Sequence, residues 1–356
     1  MKLLLYGDFG VDTLATSYER AFRGLGHHVL RCDSRCENDF LPFWISNRTI
    51  QRLTINSLTL RGRAAKSWNQ HFLNIVFSSL PDFVFVIKGD YLLPGSVQSI
   101  REHGIPIFGF HPDNPFRGNE SSRPETIRAI PEFTTYYIWS KYLKACLEAA
   151  GARQVRYLPF GWDPEAFPVS AQGVDDPSNR KYEVTFIGGW DRHRDQWLAE
   201  VAKHFNLHIW GPPYWGTRGS KLVRPCWQGS ALSGPSAAHV IRQSQICLNI
   251  LRPQNLPDGT NMRTFEIPGC GGFAISTRTS CATEVLPEPS DGVYFSTVPE
   301  LLQKIRAHVS SSPKTEGYAK RAHAIITSRH RYVDRAASII ENYRELTQQG
   351  ARSGWS

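Results

Sequence analysis

The sequence predicts an α/β protein made of doubly wound parallel sheets, and three observations predict it. Short continuous apolar runs, such as Phe83-Val84-Phe85-Val86-Ile87 between Asp82 and Gly89, have the character of strands covered on both faces. Stretches with helical spacing separate these runs. The rhythm breaks across 159–181 and then restarts, and a chain of 356 residues exceeds the size at which a single core usually keeps growing. Two domains are therefore expected.

The first strand is read over 2–6. Leu14, Tyr18, Ala21, Phe22 and Leu25 then place an apolar stripe on a helix over 13–25. A second strand over 28–32 follows the break at Gly26. Two more are expected at 83–87 and 105–110, with a helix around 96–103 between them. Gly161, Pro164, Pro168, Gly173, Asp175, Asp176 and Pro177 give the intervening segment the composition of a linker. Beyond it, strands are expected at 182–188, 207–211, 246–251 and 273–276, with helices at 195–204 and 237–243. The C-terminal stretch reads as helices, and neither a short-period repeat nor a low-complexity segment interrupts the pattern.

Composition narrows the class. An apolar share of 41% and a 12% aromatic share argue against long disorder. A formal charge of +9 favours anionic partners such as nucleotide phosphates, nucleic acid or an anionic membrane surface. Seven cysteines are an odd number, and Cys32 and Cys36 lack Cys-x-x-Cys spacing, so reduced buried thiols are expected. The opening MKLLLYGDFG loses its apolar run at Asp8, which suits a strand better than a signal peptide. No window approaches the roughly 18 apolar residues of a membrane-spanning helix. The expected location is the cytoplasm, with the inner membrane face as a peripheral alternative.

In doubly wound sheets ligands bind beyond the carboxyl ends of the strands, so the loops there are the candidates. The strand ending near Leu251 runs into Arg252-Pro253-Gln254-Asn255, and a helix is expected to begin near Asn261. Its free amides, with Arg252 and Arg263, form an anion site suited to a pyrophosphate. Glu266, deeper in that helix, can accept hydrogen bonds from a ribose diol or can simply be a solvated helix residue. Pro268 is expected to end the helix early, and Gly269, Gly271 and Gly272 to turn the chain into the next strand.

On the first half, His111 and Asp113 follow a strand and can bind sugar hydroxyls or move a proton, while Asp113 and Asn114 also fit an Asx turn. Gly7, Asp8 and Gly10 form a loop that either approaches a substrate or merely turns. Neither a dinucleotide fingerprint nor a P-loop is present. His204 and His208 are separated by Asn206, and Asp175-Asp176 is not the Asp-x-Asp of metal-dependent transferases, so no metal is expected. Trp210, Tyr214, Trp215 and Trp227 serve either as core or as a stacking surface.

The run Glu266 to Thr277, EIPGCGGFAIST, resembles the Glu-Ala-Met-Ala-x-Gly-x-Pro-Val-Val-x-Thr segment of GT-B glycosyltransferases. NMRTFE followed by CGGF is similar to their CgeB-type, spore-maturation-like branch. GLGHHV at 24–29, LPFGWDPEAFPV at 158–169, FIGGWDRHRD at 186–195, LHIWG at 207–211 and WQG at 227–229 resemble further segments of that fold in the same order. The family's Glu-x7-Glu pair has Asp258 at its first position here.

The resemblance implies a GT-B fold, two doubly wound Rossmann-like domains facing a cleft, with C-terminal helices crossing back to the first domain. It implies an acceptor-side domain over 1–165, a nucleotide-sugar domain over 166–312, and helices over 313–356 packing on the first. The implied function is glycosyl transfer from a nucleotide-diphosphate sugar to a hydroxyl of a glycan, glycolipid or protein, without metal or cofactor and with retention. Arg194, Arg252, Met262 and Arg263 would meet the diphosphate, and Glu266, Gly211, Gln228 and Gly229 the ribose and base. Asp258 would lie by the donor sugar, with His111 and Asp113 orienting the reacting groups. A DNA-modifying transferase, an epimerase of the same fold and a catalytically idle binding protein remain as alternatives.

Overall fold

The computed structural model describes residues 1–35, 58–120, 122–169, 180–288, 292–309 and 313–352. Cys36 and the linker residues Gly173, Asp175, Asp176 and Pro177 lie outside these. The chain divides into two compact units, one formed by Met1–Leu158 with Ala336–Ser356 and the other by Pro159–Arg335.

The first unit is built on a sheet of β1 (Lys2–Gly7), β2 (His28–Asp33), β3 (Phe83–Ile87), β4 (Ile107–Phe110), β5 (Thr135–Ile138) and β6 (Val155–Tyr157). Their order is β2-β1-β3-β4-β5-β6 and every pairing is parallel. Leu3, Leu4, Leu5, Phe83, Val84 and Phe85 are each 0% exposed. Both faces of the central strands are therefore covered, which explains why the runs are apolar without alternation. α1 (Leu14–Gly24) starts where Thr13 accepts a hydrogen bond from the Thr16 amide. α2 (Leu58–Ser79) buries Trp68, Phe72 and Val76, spaced four apart on one face. α3 (Pro94–Glu102), α4 (Pro124–Ala129) and α5 (Lys141–Ala149) complete the connections.

The second unit carries β7 (Tyr182–Ile187), β8 (Leu207–Trp210), β9 (Ser244–Asn249), β10 (Ala274–Thr277) and β11 (Tyr294–Phe295), in the order β11-β10-β9-β7-β8, again all parallel. Its helices are α6 (Arg192–Ala202), α7 (Tyr214–Arg218), α8 (Gly234–Arg242), α9 (Arg263–Gly269), α10 (Ser280–Val285), α11 (Val298–His308) and α12 (Pro313–Arg329). In each sheet the direction of winding reverses once: between β1 and β3, and between β7 and β9. The carboxyl ends of those strand pairs flank the crevice where such sheets take ligands.

The chain leaves the first unit after Leu158 and returns at Ala336, within α13 (Tyr332–Arg352). The stretch 313–356, expected as one block on the first domain, is thus divided, with α12 in the second unit. Within the second unit the two crossings are tied together. Arg335 donates to the Pro159 and Phe160 carbonyls at 3.1 and 3.0 Å, Trp162 and His330 share a backbone hydrogen bond of 2.8 Å, and Tyr332 donates to the Trp162 carbonyl at 3.1 Å.

α9 starts at Arg263, two residues later than expected, and ends one residue after Pro268, close to where the proline was expected to end it. The turn that follows is tight because Gly271 has φ +84°. Gly269 is set by packing instead, since a Cβ there would lie 2.5 Å from the Trp162 indole. Gly269→Ala is accordingly expected to destabilise the second unit by about 2 kcal/mol, measured as a lowered urea midpoint. An unchanged midpoint would mean the indole yields freely.

Candidate functional site

The switch point of the second sheet is held by one buried arginine. β7 ends in Gly188-Gly189-Trp190-Asp191, and Asp191 caps α6 by accepting from the Arg194 amide at 2.9 Å. The Arg194 side chain then turns back, 6% exposed. Its Nε donates to the Ile250 carbonyl at 2.8 Å and a terminal nitrogen to the Gly189 carbonyl at 3.1 Å. One guanidinium therefore fastens the loop after β7 to the loop after β9. Burial lowers its pKa to about 10, with Arg252 and Arg263 adding to the shift and Asp191 opposing it. It stays protonated at neutral pH.

Two further guanidinia converge on the same loop. Arg252 is half exposed, 3.8 Å from Asp191, and lies so close over Gly189 that a Cβ there would displace its guanidinium. Arg263 donates to the Ile187 carbonyl at 3.3 Å, pairs with Glu266, and has its guanidinium 5.5 Å from the Phe167 ring centroid. Glu266 is 2% exposed. It is neither solvated nor deep in the helix, but buried in the first turn of α9 against Arg263. Three guanidinia thus meet two carboxylates, Asp191 and Glu266, leaving an excess positive charge at the carboxyl edge of the sheet. Arg252 is the most exposed of the three.

The start of α9 is fixed by a polar network that the sequence reading did not anticipate. Asn249, at the end of β9, donates to Thr264 at 3.2 Å and to Ser276 at 3.1 Å, and accepts from Asn261 at 2.8 Å. Asn261 Oδ1 in turn accepts from the Thr264 amide at 3.0 Å. The expected anion site at this helix start, around Met262, is thus partly capped by the protein's own asparagine. Asp258 lies beside α10, where its carbonyl accepts from the Cys281 amide at 3.1 Å.

Gly211, Gln228 and Gly229 do come together beside β8. Gln228 donates to the Ile209 carbonyl at 2.9 Å, Trp227 Nε1 to the Gly211 carbonyl at 3.0 Å, and Trp215 Nε1 to the Gly188 carbonyl at 2.8 Å. A Cβ on Gly211 would strike both the Gly188 carbonyl and Trp215. Trp210 and Trp215 are core residues, whereas Tyr214 is 52% exposed.

In the first unit His111 is 0% exposed. Its Nδ1 lies 2.9 Å from the Asp113 carbonyl, its own carbonyl accepts from Trp139 Nε1 at 3.1 Å, and its Nε2 lies 3.5 Å from Asp90. Asn114 forms the Asx turn by accepting from the Phe116 amide at 2.9 Å. Lys88 reaches Asp90 at 3.3 Å and Asp113 at 3.8 Å. Lys88 and Asp90 were missed, although they occupy the loop directly after β3 at the switch point of this sheet. Lys88 holds φ +71°, an uncommon conformation for a non-glycine residue. Burial would raise the Asp90 pKa, but His111 and Lys88 outweigh it and hold the carboxyl below its ordinary value. In the remaining loop, Gly10 donates to Asp8 at 2.8 Å and Asp8 pairs with Arg35 at 3.4 Å, while a Cβ on Gly7 would meet Ala15. That geometry is a turn. Among the described residues no three His, Cys, Asp or Glu side chains gather to hold a metal ion. No helix is long and apolar enough to cross a membrane, again among the described residues.

Two parallel doubly wound units with these switch points define the GT-B fold, and comparison with solved structures agrees. The chain matches the N-terminal domain of Candida albicans trehalose-6-phosphate phosphatase at TM-score 0.65 and 13% identity, covering 97% of this chain and 96% of that one. It matches trehalose 6-phosphate synthase from Burkholderia multivorans at TM-score 0.61 and 13% identity, covering 100% and 98%. Anabaena HepE, solved in complex with UDP-glucose, matches at TM-score 0.59 and 13% identity, covering 97% and 100%. Residues 192–341 match the family model described as Glycosyl transferase-like. No curated protein matches the chain.

Arg263→Ala would take the paired guanidinium from the buried Glu266 carboxyl, at an expected cost of about 3 kcal/mol in unfolding free energy. Adding Glu266→Gln is expected to return most of it, and urea titrations of both variants check this. In the first unit the folded pKa of Asp90 lies below its unfolded value of 3.8. Its stabilising contribution is therefore complete above pH 3.8 and lost as pH falls through the lowered folded value. Asp90→Asn should flatten that acid-side decline in the urea midpoint, and an identical decline would exclude the carboxylate as its source.

Proposed function

We propose that this protein is a glycosyltransferase that moves a sugar from a nucleotide-diphosphate donor to an acceptor hydroxyl. The observation that carries this reading is the convergence of Arg194, Arg252 and Arg263 on the loop after β7, where two carboxylates leave positive charge in excess. The match of residues 192–341 to a glycosyl transferase-like model supports it, as does the likeness to a fold that in HepE was solved with UDP-glucose.

In this reading the diphosphate sits at the switch point between β7 and β9. As the glycosidic bond to the leaving phosphate breaks, negative charge grows on the phosphate oxygens. Preorganised cations lower the barrier most when they are already aimed at that charge. Arg252, half exposed over Gly189, makes the direct contact, and Arg263 shares its charge between Glu266 and the ligand. Arg194 acts through position, holding the two loops at a fixed separation. Guanidinia then supply the charge that a divalent ion supplies in other transferases, so the reaction proceeds without metal. Gly211, Gln228 and Gly229, which lie together beside β8, border the base. Glu266 meets the ribose once Arg263 turns toward the phosphates.

The segments NMRTFE and CGGF support placement in the CgeB-type branch, and that resemblance carries retention at the anomeric carbon as the expected outcome. The acceptor is a glycan, glycolipid or protein hydroxyl. Exposed Lys88 and the partly buried Asp90 and Asp113 of the first unit are the polar groups suited to sugar hydroxyls, with His111 behind them.

A thermal-shift screen against nucleoside diphosphates and their sugars tests the reading, because a ligand that prefers the folded state raises apparent stability. A positive shift with at least one diphosphate is expected, smaller with the monophosphate. Arg252→Ala should lower kcat/KM about 100-fold with little change in unfolding free energy. Unchanged kinetics, or no response to any nucleotide, would remove the diphosphate from this loop.

A further inference from the structure

Between Glu200 and Asp258 the sequence contains no aspartate or glutamate, yet it contains Lys203, Arg218, Lys221, Arg224, Arg242 and Arg252. The structure gathers part of this carboxylate-free stretch into one segment, α7 and the turn Arg224–Cys226 after it. Arg218, Lys221 and Arg224 are all exposed there. So are two large apolar residues, Tyr214 at 52% and Leu222 at 46%.

The segment is braced from beneath. Trp215 is 0% exposed and bonded to the Gly188 carbonyl, a Cβ on Gly216 would strike the Trp227 ring, and Arg224 donates to the Gly219 and Thr217 carbonyls at 2.6 and 3.2 Å. Arg218 is held 4.6 Å above the Tyr214 ring and 5.9 Å from that of Trp190. Asp195, beside the segment, accepts a hydrogen bond from the Ser220 amide at 3.0 Å.

We infer that this segment, residues 214–226, is a docking surface for an anionic lipid bilayer. Charge complementarity selects the partner, because three exposed cations stand without a neighbouring acidic side chain of their own segment. The apolar residues select lipid over nucleic acid. An exposed leucine beside an exposed tyrosine lowers into the headgroup region while lysine and arginine reach the phosphates. The inference does not depend on the catalytic reading.

Sedimentation with vesicles tests it, using the full chain. Binding is expected to vesicles of phosphatidylcholine mixed with phosphatidylglycerol, to weaken with added salt, and to be absent with phosphatidylcholine alone. Lys221→Glu with Leu222→Ser should weaken it about tenfold or more, and Lys221→Gln alone should weaken it less, both with unchanged thermal melting. Absence of binding to the anionic vesicles, equal binding to neutral ones, or variants that bind like the parent would overturn the inference. So would retention on duplex DNA that the same variants abolish while vesicle binding persists.

Discussion

Arg194 is the constraint on which the second unit depends. In a doubly wound sheet the strands on either side of the switch point send their helices to opposite faces, so the loops above them diverge and a crevice opens. Nothing in the sheet itself sets the width of that crevice. Here a single guanidinium does, by accepting burial in exchange for hydrogen bonds to carbonyls on both rims. An ammonium could not do this as well, because the planar fork of arginine reaches two directions at fixed angles. Gly189 lets the Arg252 guanidinium settle directly over the backbone, a place a side chain there would make it leave.

The second layer is neutral. Asn249, Asn261, Thr264, Ser276 and Thr277 exchange hydrogen bonds across the ends of β9 and β10 and the start of α9, and several of them are buried. A network of this kind holds its members to one geometry because each unmet partner would be costly in the interior. The charged groups above it are consequently presented by a rigid floor. In the first unit the pattern is inverted, with a fully buried histidine supporting a carboxylate and an ammonium nearer to solvent.

How much of this was legible in the sequence depended on the residue. The central strands were plain because a strand buried on both faces has no polar interruption, as in Leu3 to Leu5 and Phe83 to Ile87. β5 and β6 were not, since Thr135-Tyr136-Tyr137-Ile138 mixes hydroxyls with aromatic rings and Val155–Tyr157 is too short to show a period. Arg194, Arg252 and Arg263 were identifiable by their place after strands and by resemblance, and they do converge. Their division of labour was not identifiable, because burial and pairing are long-range facts: the carbonyl that receives Arg194 belongs to Ile250. Asn249 was invisible for the same reason, and Lys88 and Asp90 were passed over although the loop rule applied to β3 as well.

The tie between Arg335 and the Pro159 and Phe160 carbonyls has a topological consequence. The polypeptide enters and departs the second unit through a single doorway, so that unit is wired into the chain as a cassette rather than strung along it. Its ends are already adjacent, which is the condition that makes grafting, exchange between relatives, or rejoining of termini geometrically cheap. Diversification could therefore proceed by trading whole cassettes while the flanking sequence kept its own core.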